Sequence, residues 1–286
     1  MAAPRFILTL ECPDAIGIVA AVATFLADRG LSIEESDQFH DGERDAFYMR
    51  AAFSAPDAAH ASLAELEAGF APIARRFKMA WRIHDQATRP RILIAVSKIG
   101  HCLVDLLHRQ ETGWLDAEIA GIVSNHEDMR RHSEFRGIAY EALDVRPETK
   151  AAAEARILAL MEETGAELLV LARYMQILSS ETCAKLAGRA INIHHSFLPS
   201  FKGAKPYHQA YARGVKIIGA TAHYVTSDLD EGPIIEQAVE RVAHHHTPKD
   251  LVEIGRDLEC QVLARAVRWH IERRVVITGA KTDVFR

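Results

Sequence analysis

The chain lacks most of the features that mark specialised classes of protein. Only four cysteines occur in 286 residues, Cys12, Cys102, Cys183 and Cys260, far apart and with no Cys-x-x-Cys pair. That usage excludes a disulfide framework or a zinc ribbon and points to a reducing, cytoplasmic compartment. No His-Glu-x-x-His motif or Cys/His cluster is present, so neither a catalytic metal nor a cofactor is expected. There is no basic surplus: 34 Lys and Arg stand against 39 Asp and Glu, for a net charge of −5. A nucleic-acid or anionic-membrane partner is therefore not expected. Long apolar runs are missing too. The longest, Ile16–Leu26, is too short to span a bilayer. It follows Asp14 and a strand-like segment, the wrong context for a signal peptide.

What is present is an ordinary globular balance, 49% hydrophobic and 26% charged, over a length that suits two domains. Residues 1–84 read as one of them. Arg5–Cys12 is strand-like, Pro13-Asp14 a turn, and Ile16–Asp28 a helix. Leu31–Phe39 and Phe47–Ser54 are strand candidates around the Asp41-Gly42 turn. Leu63, Leu66, Phe70 and Ile73 recur at helical spacing, and Lys78–His84 closes as a strand. The order βαββαβ is ferredoxin-like. Residues 85–90, Asp-Gln-Ala-Thr-Arg-Pro, read as a linker.

From 91 to 286 strands alternate with helices. Ile92–Val96, Ile119–Val123, Leu168–Leu171 and Ala190–His194 are apolar without alternation, which suits strands buried on both faces of a mostly parallel, Rossmann-like sheet. In such sheets the site lies beyond the carboxyl ends of the strands. Asn192 and His194 stand at one such end, before the Pro199 loop. Two residues apart on a strand, their side chains share a face. Asp230 lies in Thr226-Ser-Asp-Leu-Asp-Glu-Gly232, just before the apolar Pro233-Ile-Ile235. It can pair with His194, or orient and deprotonate a water. Asp228 and Glu231 are its exposed controls. An amide donor, an imidazole and a carboxylate suffice for acyl transfer.

Other candidates resolve less favourably. His195, on the opposite face of the strand, reads as structural. His244-His-His246 reads as a solvated loop, with Thr247-Pro-Lys-Asp250 as the N-cap of a helix. Ser97-Lys-Ile-Gly-His-Cys-Leu103 follows the first strand of the second half with a single glycine. Backbone amides need several glycines to cradle a phosphate. A nucleotide-phosphate substrate is disfavoured, though Lys98 and His101 can hold a small anion.

These residues resemble the formyltetrahydrofolate deformylases, hydrolases related to the folate-dependent formyltransferases. Asn192-Ile-His194, Ser196, Leu198-Pro-Ser200 and Asp230 are similar to the motif of the wider group. Ser97-Lys98, His101-Cys-Leu103, Leu171–Leu178, Gly203–Tyr211 and Gly219–Val225 resemble the deformylase branch. Residues Cys12–Val19 are similar to the start of an ACT module, the ligand-binding domain that deformylases carry ahead of the catalytic one. The resemblance implies hydrolysis of 10-formyltetrahydrofolate to formate and tetrahydrofolate, in one-carbon and purine metabolism. It implies Asn192 as oxyanion donor, His194 as proton shuttle and Asp230 as the group that directs water. Folate would contact Arg173, Met175, Gln176, Ile177, Leu178 and Val225. An amino-acid effector, glycine or methionine, and a homodimer or homotetramer are further implications. The alternatives are formyl transfer to an amine, and an amino-acid sensor with an idle catalytic half.

Overall fold

The computed structural model describes residues 3–56, 62–198 and 206–286. Residue contacts divide them into two compact units, Met1–Arg89 with Phe285–Arg286, and Pro90–Val284.

In the first unit β1 (Arg5–Pro13), α1 (Ile18–Ala27), β2 (Ser32–Asp41), β3 (Ala46–Ser54), α2 (Leu63–Phe77) and β4 (Ala80–Asp85) follow in the ferredoxin-like order. The sheet is antiparallel throughout, with strand order β2-β3-β1-β4. Register explains its core. Phe6, Leu8, Leu10 and Cys12 stand opposite Phe53, Ala51, Met49 and Phe47, and all eight point into one apolar cluster. Ile18, Val22, Phe25 and Leu26 of α1 and Leu66, Phe70, Ala74 and Phe77 of α2 bury their stripes in that cluster. Ser62 starts α2 with a reciprocal capping box to Glu65. This is the ACT-like arrangement.

The second unit runs β5 (Arg91–Val96), α3 (His101–Glu111), β6 (Glu118–Ser124), α4 (Arg130–Glu134), β7 (Tyr140–Ala142), α5 (Lys150–Thr164), β8 (Leu168–Leu171), α6 (Ser180–Lys185) and β9 (Ala190–His194). It continues with α7 (Pro206–Arg213), β10 (Ile217–Tyr224), β11 (Ile234–Arg241), α8 (Pro248–Ile271), β12 (Val275–Thr278) and β13 (Lys281–Val284). Strands β12 and β13 form a separate hairpin.

The seven-stranded sheet has the order β11-β10-β9-β8-β5-β6-β7. Strands β7, β6, β5, β8 and β9 are parallel, and β10 and β11 add an antiparallel edge. Period-two alternation loads both faces with apolar residues. Ile92, Ile94 and Val96 join α3 and α8 in one cluster, while Leu93 and Ala95 join α5 in another. Strand order reverses at β5, from which the chain winds to β6 and later returns to β8. The carboxyl ends of β5, β8 and β9 converge there, where an open α/β sheet binds its ligand.

Candidate active site

A cavity of about 550 Å³ opens at those strand ends. Its inner wall is β9, whose antiparallel partner β10 sets His223 opposite Asn192 and Thr221 opposite His194. The Asn192 amide donates from Nδ2 to His223 Nε2 at 3.3 Å. His223 in turn donates from Nδ1 to the Tyr224 carbonyl at 2.8 Å, which fixes its tautomer with Nε2 as the acceptor. A bulge in the β10–β11 register between Ala222 and His223 aims the ring.

Asp230 completes the group. Its Oδ1 lies 3.1 Å from His194 Nδ1 and 3.7 Å from His223 Nε2. Burial works to raise its pKa, but the hydrogen bond from His194, with the charge of that imidazole, outweighs it. The carboxyl is held well below its ordinary range and stays ionised. Its backbone is left-handed, at φ 57, a conformation that costs energy for any residue with a Cβ. Asp228 and Glu231, in the same loop, are exposed. His194 Nε2 is buried without a hydrogen-bond partner, at the wall of the cavity. Buried polar atoms are nearly always paired, so this nitrogen is left for a ligand.

Thr221 holds the chain beyond β9. Its hydroxyl donates to the Ser196 carbonyl at 2.9 Å and accepts from Leu198 N–H at 3.1 Å. Pro199, Ser200 and Gly203–Lys205, part of the sequence motifs, lie outside the described residues.

The opposite wall is residues Arg173–Leu178, after β8. It is pinned at both ends. Ser97 Oγ accepts from Met175 N–H at 3.0 Å and donates to Asn125 Oδ1 at 2.7 Å. At the other end Glu154 of α5, 6% exposed, accepts from Ser179 N–H at 3.0 Å and from the Thr182 hydroxyl at 2.6 Å. Burial of Glu154 opposes ionisation, and the hydrogen bonds from Ser179 and Thr182 overcome it to lower the pKa. Met175, Ile177 and Leu229 remain more than half exposed while lining the cavity. Apolar surface at a concave mouth is suited to a flat aromatic ligand.

Of the residues expected at the site, Asn192, His194, Asp230, Arg173, Met175, Gln176, Ile177, Leu178, Val225 and His101 all line this cavity. Lys98 does not; it is exposed. His195 is a correction, because it also lines the cavity. Alternation of faces holds only while the strand continues, and β9 ends at His194. Burial, followed by the charge of Arg173, lowers the His195 pKa to about 4, so the imidazole is neutral near pH 7. His223, Tyr207 and Glu259 line the cavity without having been singled out from the sequence. Tyr207 and His223 lie within segments that resemble the deformylase branch, but their partners are remote in the chain, so no local signal gave them a role; Glu259 had no signal at all. His244 and His245 are exposed, and Thr247 caps α8 through a capping box with Asp250. Among the described residues one group of candidate metal ligands occurs, His101, Cys102 and Cys260, with donor atoms within 4.8 Å of one another.

A directional amide, an imidazole and an ionised carboxylate around one unpartnered nitrogen define an acyl- or formyl-transferring site at the end of an open sheet. The formyl transferase family matches residues 90–267. The chain belongs to that family, in its formyltetrahydrofolate deformylase branch. It is 50% identical to the formyltetrahydrofolate deformylase of Corynebacterium sp. (strain P-1) over 99% of this chain and 98% of that relative. With the Escherichia coli (strain K12) deformylase it shares 39% over 98% of each. The crystal structure of formyltetrahydrofolate deformylase from Burkholderia mallei superposes with a TM-score of 0.94 at 54% identity, covering 99% of this chain and all 100% of that one. Glycinamide ribonucleotide transformylase 1 from Symbiobacterium toebii is more distant, with a TM-score of 0.66 and 29% identity over 71% of this chain and 97% of its own.

Proposed function

We infer that the chain hydrolyses 10-formyltetrahydrofolate to formate and tetrahydrofolate, with Asn192, His194 and Asp230 carrying the reaction. The observation that bears most weight is the 3.1 Å contact between His194 Nδ1 and Asp230 Oδ1, beside an Asn192 amide anchored on His223. The pteridine rests against the pinned Arg173–Leu178 segment and Val225. The second amide hydrogen of Asn192 donates to the formyl oxygen as charge develops there, the oxyanion role. Asp230 orients a water and, directly or through His194, takes its proton as the oxygen attacks the formyl carbon. That proton passes to the folate nitrogen as the C–N bond breaks, and formate leaves. No metal or cofactor is assigned a step. The compartment is the cytoplasm, and the ACT-like unit is the place for an amino-acid effector and for pairing with a second copy. No helix among the described residues is long and apolar enough to cross a membrane.

Formate release from 10-formyltetrahydrofolate, measured with chelator present and no formyl acceptor, tests this reading. One formate per tetrahydrofolate is expected. Formyl transfer only after an amine is added would make the chain a transferase instead.

A further inference from the structure

The same cavity carries a second ionic group that the hydrolytic steps leave unused. Glu259 of α8 is 1% exposed. Its Oε1 accepts from the Tyr207 hydroxyl at 2.9 Å, and its Oε2 lies 2.7 Å from His101 Nε2. Gly255 makes room for Tyr207, since a Cβ there would meet the phenol Cζ at 2.1 Å. Arg173 Nε lies 3.5 Å from the same Oε2. One carboxylate thus serves a phenol, an imidazole and a guanidinium, and it cannot satisfy them all.

The shortfall falls on Arg173. Its side chain is only 10% exposed, yet Nε and Nη1 have no hydrogen-bond partner, nor does His101 Nδ1. Arginine does not deprotonate to escape this. Its placement is enforced, with φ at 64 and its carbonyl accepting from Ser97 N–H at 3.2 Å. A strained, buried, under-paired cation on a cavity wall is a site waiting for an anion. Helix α3 begins beside it at His101, with no side chain capping its first amides, which adds positive potential.

His195 links this group to the trio. Its ring centre is 5.2 Å from that of His194 and 6.3 Å from that of Tyr207. It senses the charges of Arg173 and Glu259 as well as those of His194 and Asp230.

We propose that Arg173, with His101 beside it, forms a carboxylate subsite that receives the formate released at the trio. The proposal rests on the deformylase reading of that site. Formate is produced as an anion near the ionised Asp230, and like charges at short range repel. A guanidinium fork matches a carboxylate in geometry and charge. The neutral His195 between the two groups offers the departing anion no competing charge. The shared chemistry is a carboxylate, and the other source of one is the glutamyl tail of the folate.

Carbon-13 formate is titrated by NMR into resting full-length wild type, R173A and E259Q, with folding checked by circular dichroism. Formate has three non-hydrogen atoms, so its dissociation constant is about 1 mM or weaker. Saturable binding is expected in wild type, lost in R173A and several-fold tighter in E259Q, where the competing charge is gone. No saturation in wild type, or undiminished binding in R173A, overturns the subsite. Should R173A not fold, R173K decides, since it keeps the charge and loses the fork; unchanged affinity there is equally fatal. In parallel, KM is measured for 10-formyltetrahydrofolate and for its analogue without the glutamyl residue. Equal effects of R173A on both substrates are expected. A rise confined to the glutamylated one assigns the subsite to the tail and overturns the formate assignment. Wild-type turnover separates the two levels: without formate release the deformylase reading fails, whereas turnover without Arg173-dependent binding removes the subsite alone.

Discussion

His194 Nδ1 and Asp230 Oδ1 stand 3.1 Å apart, although the two residues come from a strand end and from a loop whose only left-handed non-glycine residue is Asp230, at φ 57. The loop is bent into an unfavourable conformation at the one acid that meets the imidazole. Asp230→Asn keeps size and shape but removes the charge and the proton-accepting capacity. Turnover is expected to fall by roughly 10²–10⁴, and the melting temperature near pH 7 to fall with it, because the carboxylate paired with His194 also contributes to stability. Glu231→Ala, in the exposed neighbour, is the control and should release formate at close to the wild-type rate. An active Asp230→Asn enzyme would remove Asp230 from the mechanism.

His223 is the hinge between the amide and the acid, 3.3 Å from Asn192 Nδ2 and 3.7 Å from Asp230 Oδ1. It lines the cavity, but both ring nitrogens are engaged, Nε2 by Asn192 and Nδ1 by the Tyr224 carbonyl, so its role is to position. His223→Ala is expected to lower kcat by about 10²-fold, the cost of misplacing reacting groups by an ångström or so. KM should move far less. A change in KM alone would mean that His223 shapes the folate pocket and leaves the trio unaffected.

How far the site was legible follows from where its signals lie in the chain. Asn192 and His194 are legible because two-residue spacing on an apolar strand has a single geometric meaning. Strands β5, β6, β8 and β9 are legible for a related reason, since burial on both faces produces uninterrupted apolar runs. The antiparallel edge is not. Strand β11 is partly exposed along Gln237–Arg241, and nothing local says that β10 will lie beside β9. His223 lies in the resembling segment Gly219–Val225, but its role is not legible without that pairing, since it is 31 residues from Asn192. Glu259 is harder still, since its partner His101 lies 158 residues away. Lys98 illustrates the opposite error: adjacency to a strand end does not say which way a side chain turns.

Acid stability should fall in two stages. His195 is held at about 4 by burial and the charge of Arg173. His270 is held at about 3 by burial and then Arg273, its ring edge-on to Tyr224 and accepting the phenol hydroxyl at 2.7 Å. Both lie below the ordinary imidazole value near 6.5. Unfolding lets each take up a proton in that interval, so their contribution is complete above pH 6.5 and is lost as pH falls towards the folded values. Each group adds a slope of up to about 1.4 kcal/mol per pH unit. Asp230 works in a separate window. Its folded pKa is depressed, so its contribution persists down to about pH 4 and is lost only below. Melting temperatures between pH 7 and 5 should decline less steeply in His195→Asn and His270→Gln than in wild type. Parallel curves would show that these rings are not kept neutral by the fold.

Gly232 tests whether the Asp230 loop must keep its path. A Cβ at that position would lie 1.7 Å from the Tyr224 carbonyl oxygen, 2.9 Å from its carbon and 3.2 Å from His223 Nδ1. These are backbone and site atoms that cannot step aside. The same carbonyl accepts from His223 Nδ1 at 2.8 Å, and Tyr224 N–H donates to the Pro233 carbonyl at 2.9 Å. Gly232→Ala therefore pushes β10 and the Asp230 loop apart where both catalytic partners are anchored. An overpacking cost of roughly 1–3 kcal/mol is expected, together with a large loss of kcat at temperatures where the variant is still folded. Gly113→Ala provides the contrast. Its φ of 76 is unfavourable for alanine, a strain that Gly232 does not carry, but nothing lies within 4 Å of the added carbon. About 1–2 kcal/mol of backbone strain should lower its melting temperature and leave formate release unchanged. Equal turnover in the two variants would mean that the approach of Gly232 to Tyr224 serves stability alone.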